Sequence, residues 1–231
     1  MTRNTKVYFL IILLFIGVTA GYGVMTKYSF TGEYYLSEVK NQYNLDSFKY
    51  SNMEDSTYFN ETINSLDELE KNSDLIVRVK SMNDSMLFYN SIETPVEIIE
   101  VYSGNDDLQK GDMIYIQEPV SISYLKDMEN MISVKGYVFM NSNQEYLLFL
   151  KHLDKVEGYQ YKNNEEMTFL PVSTRFGKYC KEETPKFIDS SKIDAGEIDY
   201  RDLKNSSGIF IENNELIKYN SIALQVYDKY Y

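Results

Sequence analysis

The sequence predicts a mainly β domain carried behind one apolar N-terminal helix. Three observations carry that reading. Between Asp74 and Leu153, short apolar runs recur and are punctuated by Gly, Pro, Asn and Ser clusters, the pattern of successive strands and turns. Within the first run, Leu75-Ile76-Val77 is continuously apolar, whereas Val77-Arg78-Val79-Lys80 alternates as a strand with one wet face does. The firmer helical signals lie at the N-terminus, in a short lead-in before Asp74, and at the C-terminus.

In chain order, Arg3 and Lys6 precede an uncharged stretch from Val7 to Met25. That length matches the roughly 20 residues needed to cross a hydrocarbon core. Basic residues ahead of it favour an N-terminus inside, placing the rest of the chain outside the cytoplasm. Cleavage after Ala20 and retention as an anchor are both compatible with these residues. The apolar run past Ala20 favours the anchor. No cysteine follows the run, which excludes a lipoprotein anchor. Residues 1–27 are thus read as anchor or signal peptide.

Residues 28–63 show no sustained period and are read as a stem. A weak helical face runs through Leu36, Val39 and Tyr43, and some of the tyrosines at 34, 35, 43, 50 and 58 are expected to fold back. A domain follows over residues 64–180. Ser65-Leu66-Asp67-Glu68 fits a capping box, predicting a short helix over Leu66–Lys71 that runs into the strand at Asp74–Ser81. Met86–Tyr89, Glu93–Tyr102 and Met113–Gln117 are expected strands, with Pro95 marking an edge or bend. Tyr124–Met131 reads as a helical insertion or an apolar loop. Gly136–Met140 is an expected strand and Asn141–Gln144 a turn. Glu145–Leu153 is the most apolar strand and is expected to be central. Met167–Pro171 and Arg175–Tyr179 are further strands.

Residues 181–231 form an extension. Lys181–Leu203 is polar and reads as loop. Gly208–Glu212, Asn213-Asn214 and Glu215–Tyr219 read as a hairpin, because Asn tolerates the positive φ of tight turns. Ser221–Tyr231 is a terminal helix, with Ile222, Val226 and Tyr230 four residues apart.

Charge narrows the partners. Arg3, Lys6 and Lys27 are three of the 23 basic residues, and no acid precedes Tyr28. The remaining chain therefore carries 20 basic against 35 acidic residues. Such a surface repels phosphate backbones and anionic head groups, which disfavours nucleic acid. The 22 tyrosines read as compositional bias rather than chemistry. Cys180 is the lone cysteine, so no intrachain disulfide forms; burial as a small hydrophobe is favoured over intermolecular pairing.

The order of pieces resembles a known family. Asp74 precedes the apolar strand Leu75–Lys80, a long strand ends Ile98-Ile99-Glu100-Val101-Tyr102-Ser103-Gly104, and Gly111-Asp112-Met113-Ile114 follows. A late strand then reads Tyr146-Leu147-Leu148-Phe149-Leu150. This is similar to the netrin-module and tissue-inhibitor-of-metalloproteinases type of OB barrel, in the form found in small exported bacterial proteins. The resemblance covers about Ser65 to Leu153 and implies a five-stranded barrel. The fold class expected is therefore mainly β, an OB-like β-barrel, with a short lead-in helix, a C-terminal hairpin and helix, and an N-terminal transmembrane helix. The inhibitors' zinc-chelating N-terminal cysteine and disulfides have no counterpart here, so none of that family's functional residues carries over.

The residues give no catalytic, cofactor-binding or metal site. Zinc draws on His and Cys clusters, and the chain has one of each, His152 and Cys180. His152 reads as a strand-end residue. No Gly-x-Ser-x-Gly element and no Gly-rich phosphate loop occur. Asp194, Glu197, Asp199 and Asp202 offer oxygen ligands but not at EF-hand spacing. Glu165-Glu166 and Asp106-Asp107 are adjacent acids that read as solvated. The expectation is a non-enzymatic, membrane-anchored extracytoplasmic domain of a bacterial envelope protein, anchored by its N-terminal helix. It would work by binding an envelope protein or glycan. The alternatives are a carboxylate-based hydrolase acting on an envelope polymer, and a structural ectodomain.

Overall fold

The computed structural model describes residues 12–23, 34–53, 57–104, 107–125, 128–152, 155, 157–162 and 164–231. Residues 12–23 form helix α1. β1 (Tyr34–Tyr35), α2 (Leu36–Gln42), β2 (Lys49–Met53), α3 (Leu66–Lys71), β3 (Leu75–Ser81), β4 (Met86–Leu87) and β5 (Ile92–Ser103) follow. Next come β6 (Met113–Glu118), β7 (Val120–Leu125), β8 (Met128–Val134), β9 (Glu145–His152), β10 (Thr168–Pro171) and β11 (Lys178–Tyr179). The chain ends with β12 (Lys186–Phe187), α4 (Ser190–Asp194), β13 (Ile209–Phe210) and α5 (Asn213–Tyr230).

The chain divides into two units, Met1–Tyr34 and Tyr35–Tyr231. In the first, α1 exposes Ile12, Leu13, Leu14, Phe15 and Ile16. Among the described residues no helix is long and apolar enough to cross a membrane. The twelve described residues of α1 rise about 18 Å. The rest of the expected span, Val7–Ile11 and Val24–Met25, lies outside the described residues.

In the second unit, β3 lies between β5 and β9, β10 joins β9 to β6, and β6 returns to β5. A five-stranded barrel closes. All its pairings are antiparallel except β6 with β10, which is parallel. Leu75, Val77, Val79, Val96, Ile98, Ile114, Ile116, Leu148 and Leu150 share one buried cluster with Tyr146 and Cys180. Ile76, Leu147 and Phe149 belong to a second cluster, with Leu66 and Leu69 of α3 and Tyr219, Ile222 and Val226 of α5. That division explains the double pattern in β3. Its first half is covered on both faces; its second half turns Arg78 and Lys80 outward. β9 is central as expected, pairing with β3, β10 and β11.

Several local signals act as the sequence reading has them. Ser65 Oγ accepts from Glu68 N at 3.2 Å and caps α3. The return bond goes one residue further back, with Asn64 N donating to Glu68 Oε2 at 2.8 Å. Pro95 falls where β5 changes partners, after its pairing with β4 and before its pairing with β3. Gly104 closes β5 at φ +126, where a Cβ would stand 2.5 Å from Asp74 O.

Five expectations are corrected. Tyr124–Met131 is not a helical insertion; β7 and β8 form an antiparallel hairpin, and β2 pairs with β8 in parallel. The alternation through Ile122 and Tyr124 suits a strand, and both pack on the cluster that holds Phe48, Tyr50 and Met131. Gly136–Met140 is not a strand. Its backbone is held by scattered partners: Gly136 N donates to Asn52 Oδ1, Gly136 O accepts from Ile209 N, and Met140 N donates to Glu118 Oε2. Arg175–Phe176 belongs to a turn, leaving only Lys178–Tyr179 as strand. Lys181–Leu203 is not all loop, since β12, α4 and a 3-10 turn at Tyr200–Asp202 interrupt it. The hairpin over Gly208–Tyr219 does not form. β13 pairs in parallel with β12, and Asn213-Asn214 open the helix that continues to Tyr230. Leu216, Tyr219, Ile222, Ala223, Val226 and Tyr230 make one stripe at spacings of three and four, so the helical period wins over the Asn-Asn turn signal.

Within the expected stem, Leu36, Val39, Leu45, Phe48 and Tyr50 are buried beside Val138, Phe139, Tyr200 and Leu203.

Candidate functional site

The barrel parts between β6 and β10. Their parallel pairing covers only Thr168–Tyr115 and Phe169–Ile116. Beyond it β10 stays with β9, while Pro119 ends β6 and the chain turns into β7. A cavity of about 660 Å³ lies at this parting. Its floor is Gln117 and Pro119, one wall is Leu170 of β10, and the other is Ser121, Ile132 and Val134 of the β7–β8 hairpin. Met53, Thr57, Tyr58, Phe59, Asn90 and Ser91 complete the lining. The volume lies within the usual range for ligand pockets.

The polar groups here are fixed. Glu93 and Gln117 are cross-strand partners. Gln117 Nε2 donates to Glu93 Oε2 at 2.7 Å, and Ser91 Oγ donates to Gln117 Oε1 at 2.7 Å. Burial pushes the Glu93 carboxyl above its ordinary value, partly offset by the Gln117 bond. The described residues that line the cavity are apolar, hydroxyl or amide residues, with no charged side chain among them. At its rim Met53 is 49% exposed and Tyr58 69%; Phe88 and Tyr89 (93%) stand in the turn that carries Asn90. Lys151 Nζ donates to Tyr58 O and ties that segment to β9.

Behind β6 lies a second polar cluster, fully enclosed. Glu118 Oε1 accepts from Thr94 Oγ1 at 2.5 Å, and Oε2 accepts from Tyr137 OH at 2.9 Å and Met140 N at 2.8 Å. Burial pushes its carboxyl up, against the opposing pull of Lys178 and these hydrogen bonds. Lys178 donates to Val138 O, lies 3.9 Å from Glu183 Oε2, and sits over the Tyr137 and Tyr146 rings. Glu183 Oε1 accepts from Tyr146 OH and Asn141 Nδ2. This cluster pins the irregular 137–141 segment and the chain after Cys180 to the barrel.

The residues singled out from sequence take structural places. His152 Nε2 lies 2.8 Å from Glu166 O, and its ring packs between Tyr161 and Phe169. Cys180 is buried, its thiol is pushed up to about 12 mainly by that burial, and it donates to Glu182. Asp199 binds Lys49 and Arg201, which hold its carboxyl below the ordinary value. Glu165 accepts from Tyr159 OH and Lys162 N, while Glu166 is exposed. Asp106 lies outside the described residues. Among the described residues no three or more of His, Cys, Asp and Glu converge as a metal-holding group. Sequence reading missed the cavity because its lining comes from β2, β6, β7, β8 and β10 together. The one local signal was Gln117-Glu118-Pro119, a polar pair before a strand-ending proline.

Comparison with protein-family models, curated proteins and solved structures finds no significant match.

Proposed function

We propose that this chain is a membrane-anchored, extracytoplasmic binding module of a bacterial envelope, and that the groove between β6, β10 and the β7–β8 hairpin is its contact surface. The observation that carries the reading is the groove itself: an apolar cleft, with no charged side chain among its described lining and a prefixed polar floor, where the barrel parts between β6 and β10. Binding pockets have this composition. The barrel's connectivity supports an OB reading. Numbered in chain order its strands run 1-2-3-5-4, with the third and fifth parallel. OB barrels bind ligands on their second and third strands and the adjoining loops. Here those are β5, β6 and the turn bearing Asn90. Gly104 against Asp74 supports the netrin-module resemblance, since both belong to the matched pattern. The exposed apolar side chains of α1 support the anchor.

Glu93 favours a second reading, a carboxylate-based hydrolase. It is a buried carboxyl beside the groove, raised in the manner of a general acid. Glycoside hydrolysis needs two such carboxyls facing one bond. The described lining supplies none opposite Glu93, so the binding reading stands first.

The test immobilises the full chain in phospholipid nanodiscs and exposes it to solubilised envelope from its host, with bound protein and glycan identified by mass spectrometry. Leu170→Arg, which fills the groove from its wall, is run beside it. Capture by the native chain and loss with Leu170→Arg at unchanged thermal melting are expected. Equal capture by both would overturn the groove, and release of cleaved polymer would favour the hydrolase.

A further inference from the structure

We propose that the groove takes an extended peptide segment with one large apolar anchor residue and basic flanks. This rests on the reading of the groove as the contact surface and adds the chemistry of the partner.

Gln117 sets the polar part of the recognition. A side-chain amide has two N–H donors and two acceptor lone pairs. Ser91 occupies one lone pair and Glu93 one N–H, so one of each remains for a ligand. A donor beside an acceptor in one plane is the complement of a peptide unit's C=O and N–H. Glu93 is only 9% exposed and stands in strand register with Gln117, so the amide cannot swing away. Its orientation is settled before the ligand arrives, which lowers the entropic cost of binding.

The walls set the apolar part. Leu170, Ile132, Val134 and Pro119 are aliphatic and face the same space. A large aliphatic or aromatic side chain would bury its surface against them. A pyranose carries hydroxyls around its whole rim, and those turned to the walls would lose water without gaining a partner. The walls therefore favour a peptide over a glycan. The described lining carries no charged side chain, which suits an uncharged anchor. Outside the groove the chain beyond Lys27 has 35 acidic against 20 basic residues. Lysine or arginine on either side of the anchor complements that field and speeds encounter.

The probe is a displayed library of random dodecapeptides, panned against the full chain in nanodiscs, with an N-acetylglucosamine oligomer as a separate arm. Enriched peptides are expected to share one large apolar residue flanked by Lys or Arg. Their affinity should fall at least tenfold with Gln117→Leu, which keeps the size but removes the amide. It should also fall at least tenfold with Leu170→Arg, and on replacing the anchor by Ala. Leu170→Arg should melt with the native chain, while Gln117→Leu strands Glu93 and should melt lower, so its affinity is read at a temperature where circular dichroism shows it folded. No enrichment, or enriched peptides indifferent to Gln117→Leu and Leu170→Arg, would overturn the proposal. Oligosaccharide binding lost with Leu170→Arg would overturn the peptide while leaving the groove as contact surface. Envelope capture unchanged by Leu170→Arg would remove the groove itself.

Discussion

Glu118 is the residue whose environment is most consequential for stability. It is fully enclosed, accepts three hydrogen bonds, and shares Lys178 with Glu183. Its carboxyl is raised above the ordinary 4.5 chiefly by burial. Below about pH 4.5 both folded and unfolded chains hold this proton, and it contributes no difference. As pH rises further the unfolded chain ionises first. The folded state then loses relative stability until its own carboxyl ionises. Glu118→Gln removes that loss and leaves Lys178 paired with Glu183. Urea unfolding across pH 4.5–8 should show the variant gaining on the native chain as pH rises. Glu118→Leu is the opposite case. It strands Tyr137 OH and Met140 N, and each should cost about 1–3 kcal/mol at neutral pH. Gly136 is the other sensitive residue. Its φ is +79, and a Cβ would stand 1.9 Å from Ile209 O. Gly136→Ala should destabilise by at least about 3 kcal/mol, read by the same unfolding curves.

At the scale of elements, α5 does much of the outer packing. Ile222, Val226 and Tyr219 cover β9 and α3 through Phe149, Leu66 and Leu69. Ile222→Ala should cost about 2–5 kcal/mol by thermal or urea unfolding. Truncation before Asn213 should leave Ile76, Leu147 and Phe149 open to a hydrophobic dye. The elements also show what a linear reading can reach. The barrel strands β3, β5, β6, β9 and β10 were legible because burial imposes an apolar pattern on each one alone. The α3 cap was legible because Ser65 and Glu68 act within one turn. The β7–β8 hairpin was not, because Met128 to Met131 carries too few apolar residues to fix a period. Its fit depends on β2, which lies some 75 residues earlier. Asn213-Asn214 misled because Asn suits both a tight turn and a helix start. Only the long stripe from Leu216 to Tyr230 decides between them.

At the scale of the second unit, the proposed binding function rests on where the barrel fails to close evenly. Pro119 takes β6 out of the barrel, β10 keeps to β9, and the hairpin that follows builds the second wall. The strands were readable one by one, but the groove was not, since no two of its walls are neighbours in sequence. The Gln117-Glu118-Pro119 signal marks the end of a strand but not a contact; the proposed role of Gln117 comes from Ser91 and Glu93 across the sheet. The most direct measurement is amide hydrogen exchange on the full chain, alone and after exposure to solubilised envelope. Protection should rise over Gln117–Ser121, Met131–Val134 and Leu170, and leave the outer face of α5 unchanged. Protection on α5 or β3 with none around Gln117 would contradict the groove as the binding surface.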